Sequence, residues 1–219
     1  MPRRWWLILS FSLVAAAAIY KVQATDTTPK VVATDPYASA WNRKQVDSAL
    51  QKLQPGDIVL RMGKDVTSYL FSRFNLRDKS FSHCGIVFFE GGKPVVYHSI
   101  GGEDNPDEEL RRDAALRWLS PTSNLSFAII RYPLGSCQVD SLNQVVRKYY
   151  REKKRFDMRF DLNSDDRFYC AEFVYKALAE ALKDENPLKP YEILGHRYVA
   201  IDNLYRNTGA AFICRVKFK

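Results

Sequence analysis

The chain has 219 residues, 46% apolar and 13% aromatic, enough for a packed core and too apolar for a disordered chain. Its formal net charge of +8 favours anionic surroundings such as lipid headgroups or cell-wall polymer. No basic run is interleaved with aromatic residues, so nucleic acid is set aside as a partner, and the densest cluster, Arg147 to Arg155, reads as the solvated face of a helix.

Arg3 and Arg4 precede the uncharged, mostly apolar stretch 5–20, and Val22-Gln23-Ala24 fits a small-x-Ala cleavage site. Residues 1–24 therefore read as a signal peptide, or as an N-terminal membrane anchor through 5–20. Residues 25–40 read as a linker and 41–219 as one domain. This places the domain outside the cytosol, in the periplasm or cell envelope. Thiols tend to pair there, and Cys137 with Cys214 is one candidate bridge.

The domain opens with a helix over 41–53, its apolar residues Trp41, Val46, Leu50 and Leu53 at helical spacing. Gln54-Pro55-Gly56-Asp57 is a turn, and 58–62 a strand. The spacing of Tyr69, Leu70 and Phe74 predicts a helix over 66–74 with those residues inward. Residues 81–89 and 94–100 read as strands joined by a Gly91-Gly92 hairpin turn. Residues 110–119 read as a helix, 125–132 as a strand and 139–152 as a helix with Leu142, Val145, Val146 and Tyr149 inward. Residues 156–166 form an acidic-aromatic loop, and 211–218 a last strand. The sum is an α+β domain, an antiparallel sheet with helices packed on it.

Cys170 opens a further helix, whose apolar residues recur at Phe173, Val174, Ala177, Leu178, Ala181 and Leu182. Residues 163–166 supply Asn, Ser and Asp suited to a turn and an N-cap. At a helix start, free N–H groups and the helix dipole favour a thiolate, so Cys170 is a candidate nucleophile. The plain alternative is a buried structural cysteine.

A nucleophilic thiol needs a base, and the base needs a third group to hold its tautomer. The chain has three histidines. With Gly91 and Gly92 in the turn, Glu90 pairs with Lys93, and His83 and His98 become diagonal neighbours on one face. Cys84 then points to the other face, as a core thiol. Cys170, His83 and His98 can fill the three roles. A Cys-His-His zinc site, or two histidines bonded to carbonyls, are the competing readings. His196 reads as a rim residue.

Four segments occur in order: Leu53-Gln54-Pro55-Gly56-Asp57-Ile58-Val59, Phe81-Ser82-His83-Cys84-Gly85-Ile86-Val87, Phe156-Asp157 with Phe160-Asp161, and Phe168-Tyr169-Cys170-Ala171-Glu172-Phe173-Val174-Tyr175. Together they resemble the YiiX/YebB-like branch of the NlpC-type cysteine hydrolases, papain-like domains in circular permutation, over roughly residues 51–182. The resemblance implies Cys170 as nucleophile, His83 as general base and His98 in the third, polar position. The main expectation is an exported thiol hydrolase acting on an amide or ester by acyl transfer, a peptide or peptidoglycan amide suiting an exported basic chain, with no cofactor or metal expected. A lipid or lipoprotein acyl hydrolase or acyltransferase is the alternative, and a non-catalytic envelope binding module a third. The Cys170 N–H would give one oxyanion donor; Tyr169 is the weaker expectation for a second, and Asp57 a weak substrate contact.

Overall fold

Ser39 caps the first described helix, α1 (Ala40–Lys52), its hydroxyl accepting the Asn42 N–H at 3.4 Å. The computed structural model describes residues 39–102, 105–193, 195–206 and 209–219. The expected export segment, and the linker up to residue 38, lie outside them. After α1 come β1 (Ile58–Gly63), α2 (Val66–Ser72), β2 (His83–Glu90), β3 (Lys93–His98), β4 (Arg111–Ala114), the one-turn α3 (Ala115–Trp118), β5 (Asn124–Arg131) and α4 (Ser136–Arg151). The chain closes with α5 (Cys170–Leu182), β6 (Tyr191–Ile193), β7 (His196–Tyr198), a 3-10 turn (Ile201–Leu204) and β8 (Ala211–Lys217).

Six strands form one antiparallel sheet in the order β4-β3-β2-β1-β5-β8; β6 and β7 form a separate hairpin. The central strands are apolar on both faces because both are covered. On one face Ile58, Leu60, Cys84, Ile86 and Ile130 meet the buried sides of α4 and α5. On the other, Val59, Val87, Val96 and Ile129 meet Val46, Ala49 and Trp118 of α1 and α3. The β2–β3 turn takes Gly91 and Gly92 at φ +55° and +75°, the positive angles a tight hairpin turn needs, and Glu90 pairs with Lys93.

Three expectations change. Residues 111–114 are a strand, not helix, because pairing with β3 at the sheet edge outweighs their weak helical spacing. The segment 191–198 is a hairpin that the proline-rich sequence around it concealed. The largest change is at α2. Tyr69, Leu70 and Phe74 face outward, with 50%, 57% and 50% of their surfaces exposed, and Ser72 is the buried residue of that helix. The helix hangs beyond the end of β1, with no sheet beneath its apolar stripe.

Candidate active site

Cys170 is the first residue of α5, and Tyr169 is its N-cap. The cap is completed by Glu172, whose Oε2 accepts the Tyr169 N–H at 3.2 Å, and not by the Asn, Ser and Asp residues at 163–166. Cys170 is half-buried as a residue. The Cys84 thiol and the backbone N–H groups of Ala171 and Cys84 lie close enough to its sulfur to favour the thiolate. The Cys84 bond comes first among the causes that hold the Cys170 pKa below its ordinary 9.0, against the upward pull of burial. Burial pushes Cys84 well above 9.0, and its contact with Cys170 adds to that, so Cys84 stays a thiol and donates. Cys84 does face the core, as alternation requires, but that face also holds the Cys170 sulfur. Cys137 and Cys214 are both free; no bridge joins them.

The two histidines meet. His83 Nε2 lies 2.9 Å from His98 Nδ1, with the rings edge to face at 5.0 Å between centroids. Gly85 makes room for this: a Cβ there would stand 3.0 Å from the His98 Cβ and 2.5 Å from Val96. His98 Nε2 in turn lies 3.0 Å from Asp113 Oδ2. Asp113 was not foreseen. Its signal is the β4 register, Val96 opposite Asp113 and His98 opposite Arg111, which sets Asp113 diagonally across from His98 on one face. Reading the segment as a helix hid it.

The three groups fix one another's hydrogens. The His98 bond, first of several causes, holds Asp113 below the usual carboxylate range, so its oxygens only accept. His98 Nε2 therefore carries the hydrogen and His98 Nδ1 accepts. His83 Nε2 must then donate, which leaves the lone pair on His83 Nδ1. Burial holds His83 well below its ordinary 6.5, with the Arg61 guanidinium and His98 assisting, so the ring is neutral and able to take a proton. Burial also lowers His98, although Asp113 pulls the other way. Trp118 walls the pair, its ring 5.8 Å from His83 and 6.1 Å from His98. Among the described residues no hydrogen bond joins His83 Nδ1 to the Cys170 sulfur. The sulfur instead lies on the N–H of the next residue, Cys84.

The weaker expectations do not hold. The Tyr169 hydroxyl is turned into the core, where it accepts the Val199 N–H at 2.8 Å, so it is not aimed at the Cys170 sulfur. Asp57 is fully buried at the far end of β1, gripped by Arg131 through 2.6 and 2.9 Å contacts, and serves the fold. Of the other acids near the motifs, Asp157 accepts the N–H groups of Arg159 and Asp161 at 2.8 Å and shapes the 156–161 loop. His196 is exposed at the rim and donates to the Phe160 carbonyl at 3.0 Å.

Glu172 is wholly buried, and its Oε1 has no partner among the described residues. Burial, with the charges of Asp157 and Asp161 behind it, raises its pKa from 4.5 to about 9, so the folded chain keeps a proton that the unfolded chain gives up. Stability from this group is therefore present at low pH and lost as pH rises from 4.5 towards about 9. Glu172→Gln mimics the protonated acid, so it should flatten the fall in melting temperature between about pH 6.5 and pH 9, above the range where histidines titrate. Equal falls in the two proteins would refute the assignment.

No protein-family model matches the chain. It is 25% identical over 146 residues to the uncharacterised protein YiiX of Escherichia coli K12, an alignment covering 64% of this chain and 66% of YiiX, just under two thirds of its length. The crystal structure of the metalloprotein YiiX from Escherichia coli O157:H7 superposes with a TM-score of 0.61 at 18% identity, covering 75% of this chain and 98% of that one. The sequence comparison makes the chain similar to YiiX, and the structural comparison shows a shared fold. The shared fold is α+β, with a mostly antiparallel sheet and helices. Among this chain's described residues, no three His, Cys, Asp or Glu side chains converge to hold a metal ion, and both His98 nitrogens are engaged. The residues present do not fit a resident metal.

Proposed function

We propose that this chain is an exported cysteine hydrolase of permuted papain-like type that cleaves an amide bond, peptide or peptidoglycan, through an acyl-enzyme on Cys170. The observation that carries it is the hydrogen-bonded series Asp113–His98–His83, which leaves a base lone pair on the residue next to the one that touches the Cys170 sulfur. In this reading the Cys170 sulfur attacks the carbonyl carbon and His83 Nδ1 takes the thiol proton. His83 then gives that proton to the leaving amine as the carbon–nitrogen bond breaks. Water attacks the thioester, His83 takes a proton from it, and the thiol is released with the acid. The step requires His83 Nδ1 to come within hydrogen-bond reach of the Cys170 sulfur once substrate is bound. The N–H groups of Cys170 and Cys84, which converge on the sulfur, are placed to receive the oxyanion.

The test is a burst assay with p-nitrophenyl acetate followed by peptide mapping. The wild type should carry an acetyl group on Cys170, and His83→Ala should acylate at least ~100-fold more slowly. An adduct elsewhere, or an unchanged burst in His83→Ala, would end the proposal. Ester or thioester substrates of the lipid acyl class are the second reading, favoured by the outward apolar stripe of α2.

A further inference from the structure

The stripe on α2 has the wrong orientation for a core and the right one for a surface contact. Val66, Tyr69, Leu70 and Phe74 recur at helical spacing and are exposed by 68%, 50%, 57% and 50%. Leu76 follows at 46%, and Met158, on the neighbouring loop, is 62% exposed. Single exposed apolar residues are ordinary, but a contiguous stripe of them is not.

The flanks are basic. Lys64, Arg73, Arg77 and Arg159 are all exposed, and none forms an ion pair among the described residues. Arg73 lies over the Tyr69 ring at 4.5 Å. The acids of the same segment are occupied: Asp65 caps α2 by accepting the Ser68 N–H at 2.7 Å, and Asp78 binds Arg215 at 3.0 Å. An apolar stripe flanked by cations that make no ion pair among the described residues matches the boundary of an anionic bilayer, acyl chains inside and negative headgroups around.

The stripe also leads to the nucleophile. Phe74 stacks on Phe160 at 5.2 Å, and Phe160 meets Tyr169, the residue before Cys170, at 5.1 Å. Phe160 holds φ at +54°, a left-handed angle unfavourable for a bulky residue. His196 donates to its carbonyl there, and the ring lies between Phe74 of the stripe and Tyr169.

We infer that the α2 stripe and the Met158 loop dock on an anionic lipid bilayer and deliver a lipid-borne acyl ester or amide along Phe74, Phe160 and Tyr169 to Cys170. The docking stands on the surface alone. The substrate class rests on the second, lipid-acyl reading of the hydrolase proposed above.

Photo-crosslinking separates the two. Full-length chain carrying p-benzoylphenylalanine in place of Leu70 is mixed with vesicles of phosphatidylglycerol and phosphatidylcholine and irradiated. A matched protein carries the probe in place of Phe89, which is also exposed but sits at the opposite end of β2 from His83. Position 70 should give a lipid adduct by mass, position 89 should not, and the adduct should fall severalfold on pure phosphatidylcholine or with Phe74→Glu. Cys170→Ala should leave the adduct unchanged, since docking needs no chemistry. A crosslink from position 70 to a second copy of the chain, no crosslink, or equal lipid labelling at both positions would overturn the docking. Docking without release of fatty acid from the vesicle lipid would overturn the substrate class. Lost acylation of Cys170 by a soluble ester would instead count against the hydrolase reading and leave the docking intact.

Discussion

Cys170→Ala is expected to abolish turnover of any substrate the protein hydrolyses, by roughly four to six orders of magnitude, together with covalent labelling of the site. The large effect follows from the proposed role of Cys170 as the group that forms the acyl-enzyme. Cys84 is the one alternative thiol within reach, but it is wholly buried and held as a neutral thiol. The fold should survive. The substitution removes an acceptor from the Cys84 thiol, a weak donor, and leaves the apolar face of α5 untouched. Melting curves of the variant should overlay the wild type, and Cys170→Ser, which restores an acceptor, gives a second inactive protein if the alanine variant misfolds. Full activity in either would mean that the nucleophile lies elsewhere.

The second large effect is expected at Asp113. Asp113→Asn keeps the shape but removes the negative charge that makes His98 Nε2 the protonated nitrogen. Without it, the order of hydrogens through His98 and His83 is no longer enforced, and the lone pair is no longer confined to His83 Nδ1. Losing an orienting carboxylate of this kind costs about 10²–10⁴ in kcat. Asp113 also pulls the pKa of His98 upward, so removing it should carry the acid limb of the pH–rate profile to lower pH while the plateau drops. Alkylation of Cys170 by iodoacetamide should change little, because the sulfur is stabilised by Cys84 and backbone N–H groups and not by the relay. A full-height plateau with an unmoved acid limb would remove Asp113 from the mechanism.

Much of this arrangement is written in local pattern. The Gly91-Gly92 turn fixes the register of β2 and β3, and that register alone makes His83 and His98 neighbours. The apolar spacing after Cys170 is enough to place it at a helix start. What local pattern lacks is tertiary. Asp113 lies in a segment with ambiguous periodicity, and only its pairing with β3 reveals it as the third member of the series. Tyr169 looks like a site residue by position, yet its hydroxyl is turned to Val199, thirty residues on. The same limit applies to Leu70 and Phe74: helical spacing identifies a stripe but not which side of it the protein covers.

The links of the relay close over short stretches of chain, 15 residues from His83 to His98 and 15 from His98 to Asp113. The strap that seats the cysteine helix against them, Ser99 donating to the Phe168 carbonyl, spans 69. Closing the longer loop costs about 1.4 kcal/mol more in chain entropy, before any contact repays it. The order of assembly follows: the imidazoles find each other within a hairpin and its edge strand, and the thiol joins last. Until it does, Cys170 has neither helix start nor Cys84 beside it and titrates as an ordinary cysteine. A chain still emerging or half-folded thus lacks the contacts that lower the Cys170 pKa and gains them only with the finished fold.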